Sequence, residues 1–389
     1  MPDRRILMVT RNFPPLIGGM ERLMLHAYRE LSQDFEVALV GPTGAADYAA
    51  GTVYPCPPAP LVRFFPVCVL QTRRAARRLR PDLVFAGSGL TAFPAELGAP
   101  RSARLCYVHG LDLVAPHPVY QRMFVPALSR CATVIANSGP TAALARAKGV
   151  SDDRLTVLHP GVELPLEVDD HARRAARSLL GLGEHQPVLI AVGRLTARKG
   201  LLEFIEQVLR GLVARFPGLV LLVAGADPKG VVRGADMGAR IVSARDRLGL
   251  RDAVRLLGPV DDTCLDLVYR AADLHVFPGL AVAHDVEGFG MVALEAAAHG
   301  VPTVAFDVGG VRDAVAHELS GWLVAAGDYA GFRNVLTDYL SGGRTIDAAR
   351  CRGFAAGFCW GSFGARLRAI CSETIERCRS ASSSRSASL

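Results

Sequence analysis

The sequence predicts an α/β architecture of two domains, each built on a parallel sheet, and three observations carry that reading. The chain has 389 residues, half of them apolar, which is long for one hydrophobic core and comfortable for two. Strand-length apolar runs alternate with helical stretches through both halves, the pattern of parallel strands joined by right-handed crossovers. One such run, residues 188–192, is apolar at every position and ends at Gly193, as a strand covered on both faces does.

In order along the first half, strands are expected over residues 6–10, 36–40, 83–86, 105–108, 134–136 and 156–158, with helices over 20–31 and 141–148. The second half repeats the alternation, with strands over 188–192, 219–224, 254–257, 274–277, 303–306 and 322–324. Between them, residues 163–170 are polar, include Pro165 and precede a charged helix over 171–180, so the linker is placed there. This gives an N-terminal domain over 1–165 and a C-terminal domain over 171–360. The chain turns helical again after Asp347, and the Ser-rich residues 380–389 read as a disordered tail.

The most informative stretch is Asp285-Val-Glu-Gly-Phe-Gly-Met-Val-Ala-Leu-Glu295. Glu287 and Glu295 flank Gly288 and Gly290, and an Ala-rich helical run follows. Glycines ahead of a helix let the backbone approach a ligand. The first-turn N–H groups lack intrahelical partners, so a phosphate suits that electropositive end. Carboxylates accept hydrogen bonds from hydroxyls, which points to a polyhydroxylated ligand carrying a diphosphate, the make-up of a nucleotide sugar. Arg194 and Lys199 lie on the loop after the run 188–192, where an open α/β sheet lines its ligand crevice. Arg grips an oxygen pair in a planar fork and Lys supplies a mobile point charge, so the two suit a diphosphate. Taken singly, the same residues read as a solvated helix face and ordinary surface charge.

Six segments stand in order: Phe13-Pro-Pro-Leu-Ile-Gly-Gly-Met-Glu21, His109-Gly110, His159-Pro-Gly-Val-Glu163, Gly193-Arg-Leu-Thr-Ala-Arg-Lys-Gly200, Glu287-Gly-Phe-Gly-Met-Val-Ala-Leu-Glu295 and Gly309-Gly310. Their spacing resembles that of the retaining glycosyltransferases of glycosyltransferase family 4, the phosphatidylinositol mannosyltransferases among them, over residues 4–360. The resemblance implies the GT-B fold: two Rossmann-like domains with parallel sheets facing a central cleft. The N-terminal domain would bind the acceptor and the C-terminal one the nucleotide sugar, with residues 361–379 packing back on the N-terminal domain. The implied reaction moves a hexose, with retention, to a glycan or lipid-linked acceptor of cell-envelope polysaccharide, lipopolysaccharide or glycolipid. The segment 278–285 is similar to that of the mannosyltransferases and tilts the donor towards GDP-mannose, whereas His159-Pro-Gly-Val-Glu163 departs from the family's frequent Asn-Gly-Val-Asp.

The resemblance also implies roles. Gly18 and Gly19 leave room for the donor phosphate, His109 contacts the donor sugar, and Asp112 faces acceptor or sugar. Gly193, Arg194 and Lys199 hold the diphosphate, and Glu287 the sugar hydroxyls. The backbone of Gly288, Phe289, Gly290, Met291 and Val292 meets phosphate or sugar oxygens, Glu295 binds the ribose, and Gly258 and Val260 border the base. The catalytic set is then His109, Arg194, Lys199 and Glu287. With no Asp-x-Asp pair for a divalent ion, the cations and the helix N-terminus would stabilise the departing diphosphate. No metal or other cofactor is expected.

Composition bounds the partners. Residues 1–160 carry 18 Lys and Arg against 11 Asp and Glu, and the whole chain 44 against 37, so the basic excess sits in the first half. Much of it lies in residues 61–80, where Arg73, Arg77 and Arg80 recur at helical spacing behind Phe64, Phe65, Val67, Val69 and Leu70. Such a segment suits the surface of an anionic bilayer; a solvated helix packed beneath by Ala75, Ala76 and Leu79 suits it equally. Aromatic-basic interleaving is missing, which argues against nucleic acid. The chain has no uncharged apolar run of eighteen residues, no signal-peptide layout at its start and no Cys-x-x-Cys among nine cysteines. These features predict a cytoplasmic protein with reduced thiols, peripheral at most at the inner membrane face. Rival readings are an inactive nucleotide-sugar-binding protein, a GT-B epimerase of UDP-sugars, and a nicotinamide oxidoreductase, which would need a Gly-x-Gly-x-x-Gly that is missing here.

Overall fold

The computed structural model describes residues 4–166, 169–228 and 236–386. The chain divides into two compact units, Met1–Gly161 with Trp360–Leu389, and Val162–Cys359. Unit one holds β1 (Arg5–Val9), β2 (Glu36–Pro42), β3 (Val53–Cys56), β4 (Leu83–Ala86), β5 (Ala103–Val108), β6 (Thr133–Ala136) and β7 (Leu155–Val157), in the order β3-β2-β1-β4-β5-β6-β7. Every pairing is parallel. Side chains alternate across a strand, and both faces are apolar. Leu7, Val9, Val84, Cys106 and Val134 pack beneath the helices Leu61–Leu79 and Gly89–Gly98, while Ile6, Met8, Phe85, Leu105 and Tyr107 join a second core on the opposite face.

That second core is closed by the end of the chain. The helix Trp360–Ser386 sets Phe363, Leu367, Ile370, Cys371 and Ile375 against it, together with the helix Gly19–Asp34. The 4-3-1-4 spacing makes one stripe, and each large buried side chain contributes about 2 kcal/mol. Residues 361–379 thus belong to unit one. The disordered tail expected from Ser380 is instead helical to Ser386, because extending an anchored helix avoids the nucleation cost that would defeat an isolated Ser-rich segment; residues 387–389 lie outside the described residues.

Unit two holds β8 (Val188–Val192), β9 (Val220–Ala224), β10 (Val254–Gly258), β11 (Leu274–Phe277), β12 (Thr303–Phe306) and β13 (Gly321–Val324), ordered β10-β9-β8-β11-β12-β13 and again parallel throughout. The winding direction reverses between β1 and β4 in one sheet and between β8 and β11 in the other, which is where open α/β sheets bind ligands. The unit boundary falls at Gly161/Val162, ahead of the polar linker expected over 163–170, because the Val162 N–H bonds to the Phe358 carbonyl at 2.8 Å and ties this segment into unit two. Residues 167–168 of that linker lie outside the described residues.

β3 was not foreseen, since Pro55 interrupts it; it is an edge strand, where a missing N–H costs no ladder bond. Residues 61–79 form one helix despite Pro66, with Phe64, Cys68, Thr72 and Ala75 buried at helical spacing. Among the described residues no helix is long and apolar enough to cross a membrane.

Candidate functional site

In unit two the switch point is built by two loops, residues 193–200 after β8 and 278–290 after β11. Glycines let them meet. A Cβ on Gly200 would stand 1.9 Å from the Pro278 carbonyl oxygen, and one on Gly225 would stand 1.9 Å from that of Gly193. The Gly309-Gly310 pair supports the second loop from below: Gly310 donates to the Glu287 carbonyl at 2.9 Å, and a Cβ there would meet the Gly288 oxygen at 2.0 Å. Gly290, at φ 97°, starts the helix Met291–Ala298, whose N-terminus no side chain caps. It lies against Phe277, leaving only 2.9 Å for a Cβ. The Lys199 ammonium sits 4.4 Å above that same Phe277 ring. Cation, aromatic ring and helix N-terminus are therefore stacked together.

The charges here form a network. Lys199 Nζ donates to Glu287 Oε2 at 2.8 Å, Arg198 donates to the same oxygen, and Arg198 Nε pairs with Asp285 at 2.9 Å. Burial pushes the Glu287 carboxyl up, but Lys199 and Arg198 outweigh it and hold it at about 2. Lys199 lies below its ordinary range, because burial exceeds the attraction of Glu287. Arg194 is different: it is exposed and makes no hydrogen bond or ion pair among the described residues. It lines a hollow with Gly193, Lys199, Val276, Phe277 and Pro278. An exposed, unpaired cation beside a buried, paired one is an arrangement able to take up a dianion.

Glu295 lies one turn into the helix, its Oε2 2.9 Å from the Tyr269 hydroxyl. Gly258 (φ 72°) ends β10 and accepts from Gly225 N at 2.8 Å, with half-buried Val260 two residues on. The expected residues Gly193, Arg194, Lys199, Glu287, Gly288, Phe289, Gly290, Met291 and Val292 thus share one loop cluster, with Glu295 on its helix. Phe289 is buried in the core. The sequence reading missed Arg198, the least exposed cation of the cluster at 11%; its only signal was its place beside Lys199.

In unit one, Gly18 precedes the helix Gly19–Asp34, where a Cβ would stand 2.3 Å from a Glu21 oxygen. His109 follows β5, 6% exposed, with Nε2 2.8 Å from the Gly87 carbonyl. Both Asp112 oxygens are engaged by backbone: Oδ1 accepts from His109 N at 2.9 Å and Oδ2 from Gly89 N at 2.8 Å. Asp112 clamps two strand-end loops here, so a role towards acceptor or sugar would have to be shared with these bonds. Among the described residues no three His, Cys, Asp or Glu side chains gather as a metal site.

Known proteins resemble this chain in sequence and in fold. The family described as Glycosyl transferases group 1 matches residues 173–353, and Glycosyltransferase Family 4 matches residues 17–165. A D-inositol 3-phosphate glycosyltransferase of Mycolicibacterium smegmatis is 35% identical over 207 residues, 53% of this chain and 44% of the relative. Another, from Catenulispora acidiphila, is 34% identical over 253 residues, 63% of this chain and 57% of the relative. The chain spans about half the length of the curated relatives it matches. The crystal structure of Anabaena Alr3699/HepE in complex with UDP superposes with a TM-score of 0.79 at 21% identity, covering 95% of this chain and 100% of that one. Sucrose-phosphate synthase from Thermosynechococcus elongatus gives 0.76 at 20% identity, covering 96% and 100%. Two domain families matched in order, over two parallel-sheet units with this fold, make the chain a member of the group 1, family 4 glycosyltransferases of GT-B architecture.

Proposed function

We propose that the protein transfers a hexose from a nucleoside diphosphate sugar to a hydroxyl-bearing acceptor, with retention. The observation that carries this reading is the stacking of Lys199, Phe277 and the uncapped helix N-terminus beside the free cation Arg194. The departing diphosphate gathers charge as the glycosidic bond breaks. Arg194, Lys199 and the helix N-terminus meet that charge already oriented, which stabilises the transition state without reorganisation. Glu287, held ionised by Arg198 and Lys199, accepts from sugar hydroxyls; Glu295 accepts from the ribose. His109 orients the sugar, and the departing phosphate takes the acceptor's proton. Neither a metal nor another cofactor is assigned a part.

The loop 278–285 favours GDP-mannose, whereas Anabaena Alr3699/HepE, solved both with UDP and with UDP-glucose, favours a uridine donor. The names of the curated relatives favour an inositol phosphate, free or as a lipid headgroup, as the acceptor. A thermal-shift panel of GDP, UDP and ADP with their sugars tests the donor, since ligands raise the melting temperature according to affinity. A rise for one nucleoside diphosphate and a larger one for its sugar is expected; no shift with any of them contradicts the proposal.

A lipid-linked acceptor is supported by the helix Leu61–Leu79, which exposes Val62 (78%) and Leu70 (64%) beside Arg63, Arg73, Arg74, Arg77 and Arg78. Flotation with anionic vesicles at low salt should carry the protein upward. Protein left at the bottom of the gradient speaks against this part.

A further inference from the structure

The carboxyl edge of the first sheet holds two buried polar atoms that the fold does not use. β5 and β6 run parallel in register with Val108 opposite Ala136, so the next residues, His109 and Asn137, leave neighbouring strand ends about 4.8 Å apart. Each is 6% exposed. His109 Nε2 lies 2.8 Å from the Gly87 carbonyl, which only accepts, so Nε2 carries the proton and Nδ1 presents a lone pair. Nothing among the described residues bonds to His109 Nδ1 or to Asn137 Oδ1.

An Asn ahead of a helix is ordinarily a cap. Here Ser138 has that task for the helix Gly139–Ala147, accepting from Thr141 N at 3.1 Å, and the Asn137 N–H is spent on the Val108 carbonyl at 3.2 Å. The side chain of Asn137 is thus released from the usual local duties. Buried acceptors without a donor are rare because desolvation goes uncompensated, and in native proteins they mark a bond completed by something else.

We infer that Asn137 is a positioning residue whose Oδ1, with His109 Nδ1 on the adjacent strand end, accepts from hydroxyls of a polyol ligand. Two neutral acceptors at this sheet edge match hydroxyl donors of a sugar or inositol ring, while the Asn137 Nδ2 remains a donor. The inference rests on the proposed transferase reading. It leaves open the source of the hydroxyls, the donor hexose or the acceptor ring, which the test separates.

The test is calorimetry on the full chain, with UDP, GDP, UDP-glucose, GDP-mannose, and myo-inositol 3-phosphate added over saturating nucleoside diphosphate. Asn137→Leu, a near-isostere without the acceptor, should keep wild-type affinity for the nucleoside diphosphates and an equal or higher melting temperature. It should lose about tenfold in affinity for one polyol probe. A loss confined to the sugar nucleotide assigns the hydroxyls to the donor; a loss confined to inositol phosphate assigns them to the acceptor. Asn137→Asp, which keeps an acceptor oxygen, should retain more binding than Asn137→Leu. If Leu does not fold, Asn137→Ala replaces it. Wild-type affinity of a folded Leu or Ala variant for every probe, or a fall in melting temperature with binding unchanged, overturns the inference. A wild-type protein that binds none of the sugar nucleotides instead overturns the proposed transferase function.

Discussion

Arg194 and Lys199 sit five residues apart and answer to different physics. Arg194 is exposed and unpaired among the described residues, so Arg194→Ala should leave the melting temperature unchanged while lowering turnover about a hundredfold, the effect of losing one oriented charge, roughly 3 kcal/mol. Lys199 also holds Glu287 and covers Phe277, so Lys199→Ala should lower both turnover and melting temperature. Parallel assays of the two variants check the contrast; equal destabilisation would remove it. Glu287 adds a pH signature. Its carboxyl is held at about 2 against an ordinary 4.5, and a depressed carboxyl contributes stability that is present above about 4.5 and lost as pH falls through about 2, roughly 3 kcal/mol in all. Urea unfolding should show Glu287→Gln less stable than wild type at pH 6, the gap narrowing towards pH 2.5. A gap independent of pH contradicts the pairing. Arg194 and Lys199 stood out because motif and strand end coincide there, and Glu287 because it is paired with Glu295 around the glycines ahead of a helix. Arg198 and Asn137 were not, since an arginine among arginines reads as surface charge and an asparagine before a helix reads as a cap.

The elements were legible where the hydrophobic pattern is continuous. The central strands and the two long N-terminal-unit helices announce themselves by apolar runs and helical spacing, whereas β3 hides behind Pro55 and the final turns of the last helix behind serines. Glycines with no ligand role in the sequence reading, Gly200, Gly225 and Gly310 among them, let one loop lie on another. Gly310 is the clearest, with its hydrogen bond to the Glu287 carbonyl and a Cβ position 2.0 Å from the Gly288 oxygen. Gly310→Ala should push the 287–290 loop away and cost about 1–3 kcal/mol of stability, weakening nucleoside diphosphate binding without touching any charged side chain. Calorimetry and thermal unfolding of that variant test the point, and unchanged binding would mean the loop's position does not matter to the ligand.

The whole molecule is two sheets with one chain returning to the first. That return was foreseen from the family likeness rather than from the residues, because nothing in the spacing of Phe363, Leu367, Ile370 and Ile375 says which core they cover. Removing everything after Cys359 should uncover Ile6, Met8, Phe85 and Tyr107 and leave unit one poorly packed, visible as lost near-ultraviolet dichroism and exposed apolar surface. A truncated chain with native dichroism would show the helix to be dispensable. The central claim, that a cation pair and a helix N-terminus in unit two receive the donor diphosphate, is tested most directly by a crystal structure with the sugar nucleotide chosen by the thermal-shift panel. Diphosphate oxygens about 3 Å from Arg194, Lys199 and the first N–H groups of the helix Met291–Ala298 are predicted. A well-ordered donor bound away from all three would contradict the account.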